Sequence, residues 1–582
     1  MLRLLYQFLF KKISPIGLGI FRIGYGINFL LEILNIFNYR QLYFDKIPYL
    51  DVNFPDTTLL FLLWMVIISF LVVGYYTRIS AILNYVFTIV FISSMTTYEY
   101  HMFYTYTGVN FLLIFLPIQK VLSIDFLRMK FRCIEKGINY KIEKVAKINY
   151  LLPAFVGIGL FYFDSAFTYK IYSPMWLKGL GVWLPSSIPH ITISENQWFL
   201  NQEFLVKFLS YLTMLFEFMF IFLFWHKRYR VFLLLIGLGL HLGIAMEFPI
   251  PYFAMGYVAI YLIMVPVTFW GLLWKKIINK QPKLTLFYDK RNLSIAKLVT
   301  LIQCLDIFKA IRVESKESFS ASDDVVFQSD LILADSDQKI YTGNALLPII
   351  CKSSPLCYPI LWLSRVVLFK NTFIGSLDQI SEDKSTIELV DFKGVPYHEI
   401  RDKFFVLVMI LAFFLQIQVN HNFFGSGKFD AAVHKISKQY FGITHHDVFV
   451  DSHLIGYNNV YTIKYEGELL PILDERGMAD RYVSGGSYAY WIFRVNMPYV
   501  KENAYSLRKG MIDYTSFWMH RNDMDLSKIQ KFEIVRKKVA LSFQWERDLL
   551  EKNINSPWEK VGELKWKDKK AHFFWSSDGH NK

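Results

Sequence analysis

The chain has 582 residues, of which 54% are hydrophobic, 18% aromatic and 19% charged. These proportions exclude a chain built around one water-soluble core, because such a core cannot cover so many apolar side chains. The formal net charge is +14. We assign it mainly to lysines that face anionic lipid at one membrane surface, so we predict no nucleic-acid partner.

Apolar runs long enough to cross a bilayer follow one another through the first half of the chain. A helix rises about 1.5 Å per residue, so about 20 apolar residues cross a hydrocarbon layer about 30 Å thick. The first run lacks the cleavage site of a signal peptide and is predicted to be a retained helix. The predicted spans are 14–35, 57–76, 79–96, 108–120, 148–164, 204–224, 231–247 and 252–274, with an isolated ninth at 403–419.

Basic residues cluster in alternate connections between these runs. Residues 120–147 hold eight basic and three acidic residues, and further basic stretches follow the sixth and eighth runs. Because cytoplasmic loops are enriched in Lys and Arg, we predict a cytoplasmic N-terminus and an extracytoplasmic C-terminus. This orientation places the outer segments at 36–56, 97–107, 165–203 and beyond about 420. It leaves 275–402 in the cytoplasm, and no outer segment contains Cys133, Cys304, Cys351 or Cys357.

Several ionisable residues lie inside or at the ends of the apolar runs, where each needs a partner or a function. Arg22 in the first run and Glu217 in the sixth are predicted to form an intramembrane ion pair, with separate partners as the alternative. His101, Lys170 and His241 lie toward the outer face. Structural explanations exist for all three: a lysine at a helix end extends to the interface, and a histidine binds a neighbouring helix or joins the aromatic belt.

A small α/β pattern follows the eighth run, with a strand in KLTLFYD (283–289), a helix at 293–308 and a strand in IRVES. The stretch VVFQSDLILADSDQKIYTG after IRVES completes this pattern. The pattern resembles the DCC family of thioredoxin-like proteins at Tyr288, Asp289 and Lys290. Asn292 and Ile295 occupy the positions of that family's Cys-x-x-Cys pair. Disulfide exchange needs both thiols, so we expect no thiol-disulfide oxidoreductase activity. The alternative is a plain α/β spacer or docking domain.

The last segment, 422–582, is polar and aromatic. Alternating stretches such as VYTIKYEG (460–467) and KFEIV (531–535) predict a β-rich extracytoplasmic domain. The stretch HHDVFVDSH has imidazoles and carboxylates at spacings that can hold a divalent metal. Its ordinary interpretation is a polar loop before a strand, and we predict no metal site there. The residues concerned are His445, His446, Asp447, Asp451 and His453.

Residues 10–275 resemble the HTTM family, the bacterial membrane relatives of vitamin K-dependent gamma-glutamyl carboxylase. The resemblance follows the order of several landmarks, and Trp176 lies one residue further from Lys170 than the family pattern has it. The landmarks are ISPIGLGIFRIGYG with Arg22, GYYTRISAI (74–82), the His-x-x-Tyr stretch from His101, LSIDFL (122–127), YKIYSPMWLKG, Glu217 and His241.

This resemblance implies a catalytic site. Lys170 matches the base that deprotonates reduced vitamin K, while His101 and His241 match assisting histidines. The implied cofactor is a reduced quinone such as vitamin K hydroquinone, which reacts with oxygen to give a strong base. The substrate would be an outer polypeptide whose glutamate is carboxylated. A lysine acts as a base only as the neutral amine, so the role requires an apolar pocket that lowers its pKa by several units from about 10.4.

The sequence thus predicts a polytopic α-helical membrane protein. It would consist of an eight-helix HTTM-like domain (1–274), a cytoplasmic α/β thioredoxin-like domain (275–400), a ninth helix (401–421) and an extracytoplasmic β-rich domain (422–582). Two functions stay open. One is a carboxylase-like enzyme in contact with the bilayer. The other is a non-enzymatic membrane scaffold, maturation partner or transport component.

Overall fold

The computed structural model shows a helical bundle and two regions that contain β-sheets. It describes residues 2–576 except 44, 46, 48–54, 94–99, 141, 279–280, 320–329, 338, 364–389, 392–396, 422, 424–426, 457, 498–499, 501–503 and 526. Part of the predicted cytoplasmic domain, 364–389, therefore lies outside the described residues. The largest apolar core lies within the bundle, and separate cores lie under each of the two larger sheets.

Nine helices form the bundle before residue 278, and a tenth joins it from further along the chain. A short helix, Leu2–Phe10, precedes them. The first nine are α1 (Ile16–Asn38), α2 (Thr58–Val73), α3 (Thr77–Ile92), α4 (His101–Leu113), α5 (Ile148–Tyr172), α6 (Glu203–Leu223), α7 (Lys227–Glu247), α8 (Pro251–Met264) and α9 (Val267–Ile277).

By length and hydropathy, the described part of the chain has five helices that could cross a membrane, or six if a bent pair counts as one span, as is typical of a multi-pass membrane protein. The predicted eight spans plus a ninth are therefore too many by this measure. Helix α2 has 16 residues and α4 has 13, so each is shorter than about 30 Å of hydrocarbon. The side of the membrane on which each connection lies stays a prediction.

Two predicted spans differ from the observed helices in ways that matter for the site. The eighth run is not straight: α8 and α9 meet at an angle of 91°. Pro266 stands at the break, where its missing N–H cannot continue a helical ladder. The fifth run extends to Tyr172, which places Lys170 in the last turn of α5 and not in an outer loop.

Arg22 is fully buried and binds backbone carbonyls. Its Nη1 donates to the carbonyl oxygens of Ile118 at 2.8 Å and Val121 at 3.4 Å, and its Nη2 donates to that of Leu122. These carbonyl oxygens belong to a connection between helices, so they accept no hydrogen bond from a helical backbone. The five N–H donors of a guanidinium group can satisfy them. The predicted ion pair of Arg22 with Glu217 is therefore wrong, because Glu217 binds a different cation.

Buried amide and hydroxyl groups join the first four helices. The Tyr25 hydroxyl donates to Asn110 Oδ1 at 3.0 Å, and Asn110 Nδ2 donates to Thr88 Oγ1 at 2.9 Å. Trp64 Nε1 donates to Asn84 Oδ1 at 2.9 Å. Such bonds fix which faces of apolar helices meet, since in hydrocarbon an unpaired polar group has no water to bind.

The first β-containing region is a mixed four-stranded sheet with α10 (Leu293–Leu305). Its strands are β1 (Leu284–Tyr288), β2 (Ile311–Ser315), β3 (Leu331–Asp335) and β4 (Ile340–Thr342), in the spatial order β2-β1-β3-β4. Strands β1 and β2 are parallel, and the other neighbours are antiparallel. Helix α11 (Leu346–Ser353) follows the sheet.

The positions that resemble a Cys-x-x-Cys pair have structural contacts instead. Asn292 caps α10, because its Oδ1 accepts hydrogen bonds from the backbone N–H groups of Ser294 and Ile295. Ile295 is fully buried in the core of the sheet region. Cys351 and Cys357 are buried free thiols. The expected absence of disulfide chemistry is not tested by these contacts.

The second β-containing region begins after the tenth bundle helix, α12 (Tyr397–His421). It is a five-stranded antiparallel sheet in the order β6-β5-β7-β8-β9, and it confirms strands in both alternating stretches named above. Helices α13 (Gly486–Trp491) and α14 (Tyr505–Arg521) accompany it. The strands are β5 (Asn459–Tyr465), β6 (Glu468–Leu469), β7 (Gln530–Lys538), β8 (Trp558–Lys567) and β9 (Lys570–Trp575).

Connections of the bundle bind other parts of the chain. Lys12 lies 3.4 Å from Asp402, and Lys297 of the first sheet region binds Glu135. The backbone N–H of Ala479 donates to the Pro189 carbonyl at 3.2 Å.

We predict that Arg22→Met lowers the free energy of unfolding by about 3 kcal/mol, because it leaves several buried carbonyl oxygens without donors. Chemical unfolding of the full chain in detergent, followed by circular dichroism, measures this change. Arg78→Met is the control, since Arg78 is exposed and its Nη1 donates to one carbonyl, that of Ile114. An equal effect of the two substitutions would contradict the role given to Arg22.

Candidate functional site

Lys170 and Glu217 form a buried ion pair where α5 ends beside the middle of α6. Lys170 Nζ lies 2.7 Å from both carboxylate oxygens of Glu217. Each residue is only 4% exposed. The ammonium also lies 4.3 Å from the centre of the Trp176 ring, which gives a cation–π contact. The charge is therefore held by a carboxylate and an aromatic face.

His241 belongs to a second polar group beside this pair. Its Nε2 lies 2.6 Å from the hydroxyl of Tyr162, which lies 2.6 Å from the hydroxyl of Tyr261. The imidazole stacks on the Tyr257 ring at 4.6 Å. Its Nδ1 has no hydrogen-bond partner among the described residues. Helix α7 thus carries an imidazole whose second nitrogen is buried and unpaired among the described residues.

A cavity of about 630 Å³ brings Lys170, Glu217 and His241 to one surface. Most of its lining residues are apolar and come from α5, α6, α7 and the 448–449 segment. A second polar region lies on the same cavity and consists of Ser186, Ser194, Asn196 and Glu247. The cavity therefore has an apolar body and two polar regions, one of them a buried charge pair.

His101 lies in a neighbouring cavity of about 170 Å³, together with His453. Phe248, Phe253, Val448 and Phe449 line both cavities, so an apolar and mainly aromatic wall is common to the two. The structure thus joins two of the three predicted catalytic residues, Lys170 and His241, at one surface and places the third behind an aromatic wall. The ring of His101 lies 5.7 Å from that of His446.

The residues of the HHDVFVDSH stretch point in different directions. His445 Nδ1 lies 2.7 Å from the Tyr169 hydroxyl, whereas Asp447 lies 3.5 Å from His453. Asp451 accepts hydrogen bonds from the Ser173 hydroxyl and from the backbone N–H of Met175. Among the described residues, no group of three His, Cys, Asp or Glu side chains can hold a metal ion.

This stretch instead closes the cavity. Phe449 has a positive φ of 53°, which is rare for a bulky residue, and its carbonyl accepts a 2.7 Å hydrogen bond from Trp176 Nε1. The backbone N–H of His446 donates to Asp164 Oδ2 at 2.8 Å. Val448 and Phe449 thereby become part of the cavity wall.

Sequence reasoning missed several residues of the site. Tyr162 and Tyr261 lie in apolar runs rich in aromatic residues, where the sequence does not distinguish a hydrogen-bonded tyrosine from a packing one. Val448 and Phe449 carry no chemical signal in the sequence. Their role depends on a fold that places them beside residues about 270 positions earlier in the chain. The stretch YFDS, with Asp164 inside an apolar run, was a signal available for the contact with His446.

Compared with models of protein families, with curated proteins and with solved structures, the chain gives no match. The resemblances stated above therefore rest on the quoted residues alone.

We predict that Lys170→Met and Glu217→Leu each destabilise the protein by about 3–5 kcal/mol, because each leaves one buried charge unpaired. The double variant should lose less than the sum of the two, since neither charge then remains. Unfolding of the four proteins in detergent measures this coupling. The exposed pair Glu203 and Lys207 on the same helix is the control, with an expected coupling of about 0.5 kcal/mol. Additive losses at Lys170 and Glu217 would contradict the pair.

We also predict acid sensitivity from His446. Burial first, and then nearby His101, lower the pKa of His446 well below its usual value. The unfolded chain therefore binds more protons than the folded one below pH about 6.5, so stability is full above that pH and falls beneath it by about 1.4 kcal/mol per pH unit.

The substitution His446→Phe tests this, because it keeps a ring beside Phe161, whose centre lies 4.5 Å away. Unfolding between pH 7 and 5 should show a smaller pH dependence in this variant. His572→Phe, at an exposed strand position, is the control and should leave the slope unchanged. A slope that His446→Phe does not reduce would assign the acid sensitivity to another group.

Proposed function

We propose that this protein is a membrane enzyme similar to vitamin K-dependent gamma-carboxylase, and that it acts on a reduced quinone through Lys170 and Glu217. One observation carries the proposal: a buried ion pair lies on an apolar cavity between candidate membrane helices. A water-excluded charge pair has a high desolvation cost. At a concave apolar site, such a pair is a recognised mark of function.

The cavity fits the chemical class of the ligand. Its volume of about 630 Å³ falls within the range of about 300–1,000 Å³ for small-molecule sites. Aromatic and aliphatic side chains such as Phe161, Phe199 and Leu212 suit a flat apolar ring system. Lys170, Glu217 and His241 suit the oxygen atoms of such a ring. A reduced quinone, when bound, would supply the acidic hydroxyl and the electrons for a reaction with oxygen.

The ion pair changes the role that the resemblance gives to the lysine. A Lys170 ammonium held by both oxygens of Glu217 has no free electron pair. The pair accepts a proton more readily at a carboxylate oxygen, so we assign the proton of a ligand hydroxyl to Glu217. The Lys170 ammonium then faces the negative charge left on the ligand oxygen. Charge balances in this step, and no neutral lysine is required.

His241 has a separate part in this proposal. Its Nε2 is engaged with Tyr162, so Nδ1 is the nitrogen that stays unpaired among the described residues, and we assign a ligand oxygen to it. The hydroxyls of Tyr162 and Tyr261 extend this contact away from the cavity and can pass a proton along hydrogen bonds. His101 acts from the neighbouring cavity, where a small co-substrate can lie beside the aromatic wall.

The two sheet regions also have roles in this proposal. The first sheet region is a thioredoxin-like domain without redox chemistry on the cytoplasmic side. The region after residue 422 is extracytoplasmic and presents a polypeptide substrate. The second candidate, a non-enzymatic scaffold, maturation partner or transport component, has no specific observation in its favour and becomes an outcome of the test.

The test is oxygen-dependent oxidation of a reduced isoprenoid naphthoquinone by the full chain in lipid nanodiscs, followed by ultraviolet absorbance. We expect Glu217→Gln and Lys170→Met each to lower the rate at least 100-fold, because one removes the proton acceptor and the other the balancing charge. Lys207→Met and Glu203→Gln, which break the exposed pair on the same helix, should retain the natural rate.

Two results would overturn this assignment. Equal turnover in the Glu217→Gln and natural proteins would remove Glu217 from the chemistry. No oxidation by the natural protein, despite a normal unfolding profile, would favour the non-enzymatic alternative.

A further inference from the structure

Two glycines of α7 leave open space on the wall of the cavity. A Cβ added at Gly239 or Gly243 would meet nothing within 4 Å, and both residues line the cavity. Gly237, two residues earlier, is different, because a Cβ there would meet the ring and hydroxyl of Tyr261. Close packing therefore explains Gly237 but not Gly239 or Gly243. These two lie one helical turn apart, so they open a continuous gap along α7.

This gap extends to the exposed side of helices α6 and α7. Gly239 is exposed and Met246 is 71% exposed, although both line the cavity. Leu212 on α6, facing the same cavity, is partly exposed. Helices α6 and α7 are candidate membrane helices, and only 17% of the apolar window of α7 is buried. The flank on which the gap opens is therefore the surface that contacts hydrocarbon.

A polar group at the inner end of the gap points to a ligand. His241 is 2% exposed, it lines the cavity, and its Nδ1 has no hydrogen-bond partner among the described residues. A buried imidazole nitrogen without a partner is unfavourable in an apolar site, and a hydroxyl or carbonyl oxygen of a bound molecule would satisfy it. The ligand would therefore have an apolar body and an oxygen-bearing ring.

We propose that the gap between α6 and α7 over Gly239 and Gly243 is a lateral entrance, through which a membrane-dissolved ligand passes from the bilayer to Lys170 and Glu217. The proposal rests on the proposed function for the identity of the ligand and adds its route. An apolar molecule concentrates in hydrocarbon, so an opening on that side shortens its path and avoids water. The absence of side chains at positions 239 and 243 keeps the path wide enough for a ring.

The first experiment blocks the entrance. Because a Cβ added at Gly239 or Gly243 meets nothing within 4 Å, we expect Gly239→Leu and Gly243→Leu to fold normally and to project a side chain into the gap. Gly271→Leu is the matched control: an added Cβ there also meets nothing within 4 Å, but Gly271 lies on α9 and does not line the cavity. Association of an isoprenoid naphthoquinone with the full chain in nanodiscs is measured by stopped-flow quenching of tryptophan fluorescence.

We expect the two blocking variants to slow association at least tenfold, and Gly271→Leu to leave it unchanged. Natural association rates in both blocking variants would overturn the entrance. If Lys170→Met and Glu217→Gln abolish oxidation while the blocking variants associate normally, the proposed function stands without this route. If the blocking variants slow association but the charge variants keep their activity, the route stands and the proposed chemistry fails.

A second measurement does not depend on the ligand. After the four natural cysteines are changed to serine, a nitroxide is attached at Gly243→Cys and, for comparison, at Gly271→Cys. Power saturation in nanodiscs compares collisions with oxygen, which dissolves in lipid, and with a nickel chelate, which stays in water. Stronger relaxation by oxygen at position 243 supports a lateral opening. Stronger relaxation by the nickel chelate would show that the gap opens to water and would overturn the proposal even if no quinone binds.

Discussion

The ion pair between Lys170 and Glu217 is the constraint on which the candidate site depends. Two charges at 2.7 Å are stable in an apolar site only if each satisfies the other, because the cost of removing them from water is large. The last turn of α5 must therefore stay against the middle of α6. Trp176 covers the ammonium, and its indole N–H is held in turn by the Phe449 carbonyl. One electrostatic contact thus fixes two helices, a covering ring and the segment that closes the cavity.

The region after residue 422 is a structural part of the site as well as an attached domain. Asp451 accepts hydrogen bonds from Ser173 and Met175, and Asp164 of α5 binds the backbone of His446. These contacts place Val448 and Phe449 in the cavity wall, where Phe449 adopts a left-handed conformation that costs about 1–3 kcal/mol. The conformation is retained because the hydrogen bonds on both sides determine the path of the chain.

Much of the architecture could be predicted from local sequence. Apolar runs identified the helices, and alternation identified two strands of the last sheet. A proline within the eighth run, Pro266, was a sequence signal for the break. The run was nevertheless predicted as one span because it is long enough to cross a bilayer. Short helices such as α2 could not be separated from true spans by composition, because helix ends depend on the connections that pack against them. The first sheet region shows the same limit: the stretches that form its strands were visible in the sequence, but the antiparallel pairing of β3 with β1 and β4 was not.

The site was predictable only in part, for a physical reason. Sequence shows which residues are ionisable within an apolar run, and it identified Lys170, Glu217, His101 and His241. It does not show the direction in which each faces around its helix, so Glu217 was given Arg22 as its partner. Arg22 instead satisfies carbonyls of a connection, whose need for donors cannot be read from side-chain types.

The pairing that emerged changes the chemical question that the site poses. A lone buried lysine would have to lose its proton before it could act as a base. A lysine held by a carboxylate keeps its proton and its charge, and the carboxylate is then the group that can accept a proton. In the proposed step, the buried pair is neutral as a unit before Glu217 accepts a proton and carries one positive charge afterwards. That charge lies on an apolar cavity beside the stacked rings of His241 and Tyr257. If the proposal holds, a site that becomes positive when it takes a proton attracts the anion left on the ligand, so the same event transfers the proton and retains the ligand.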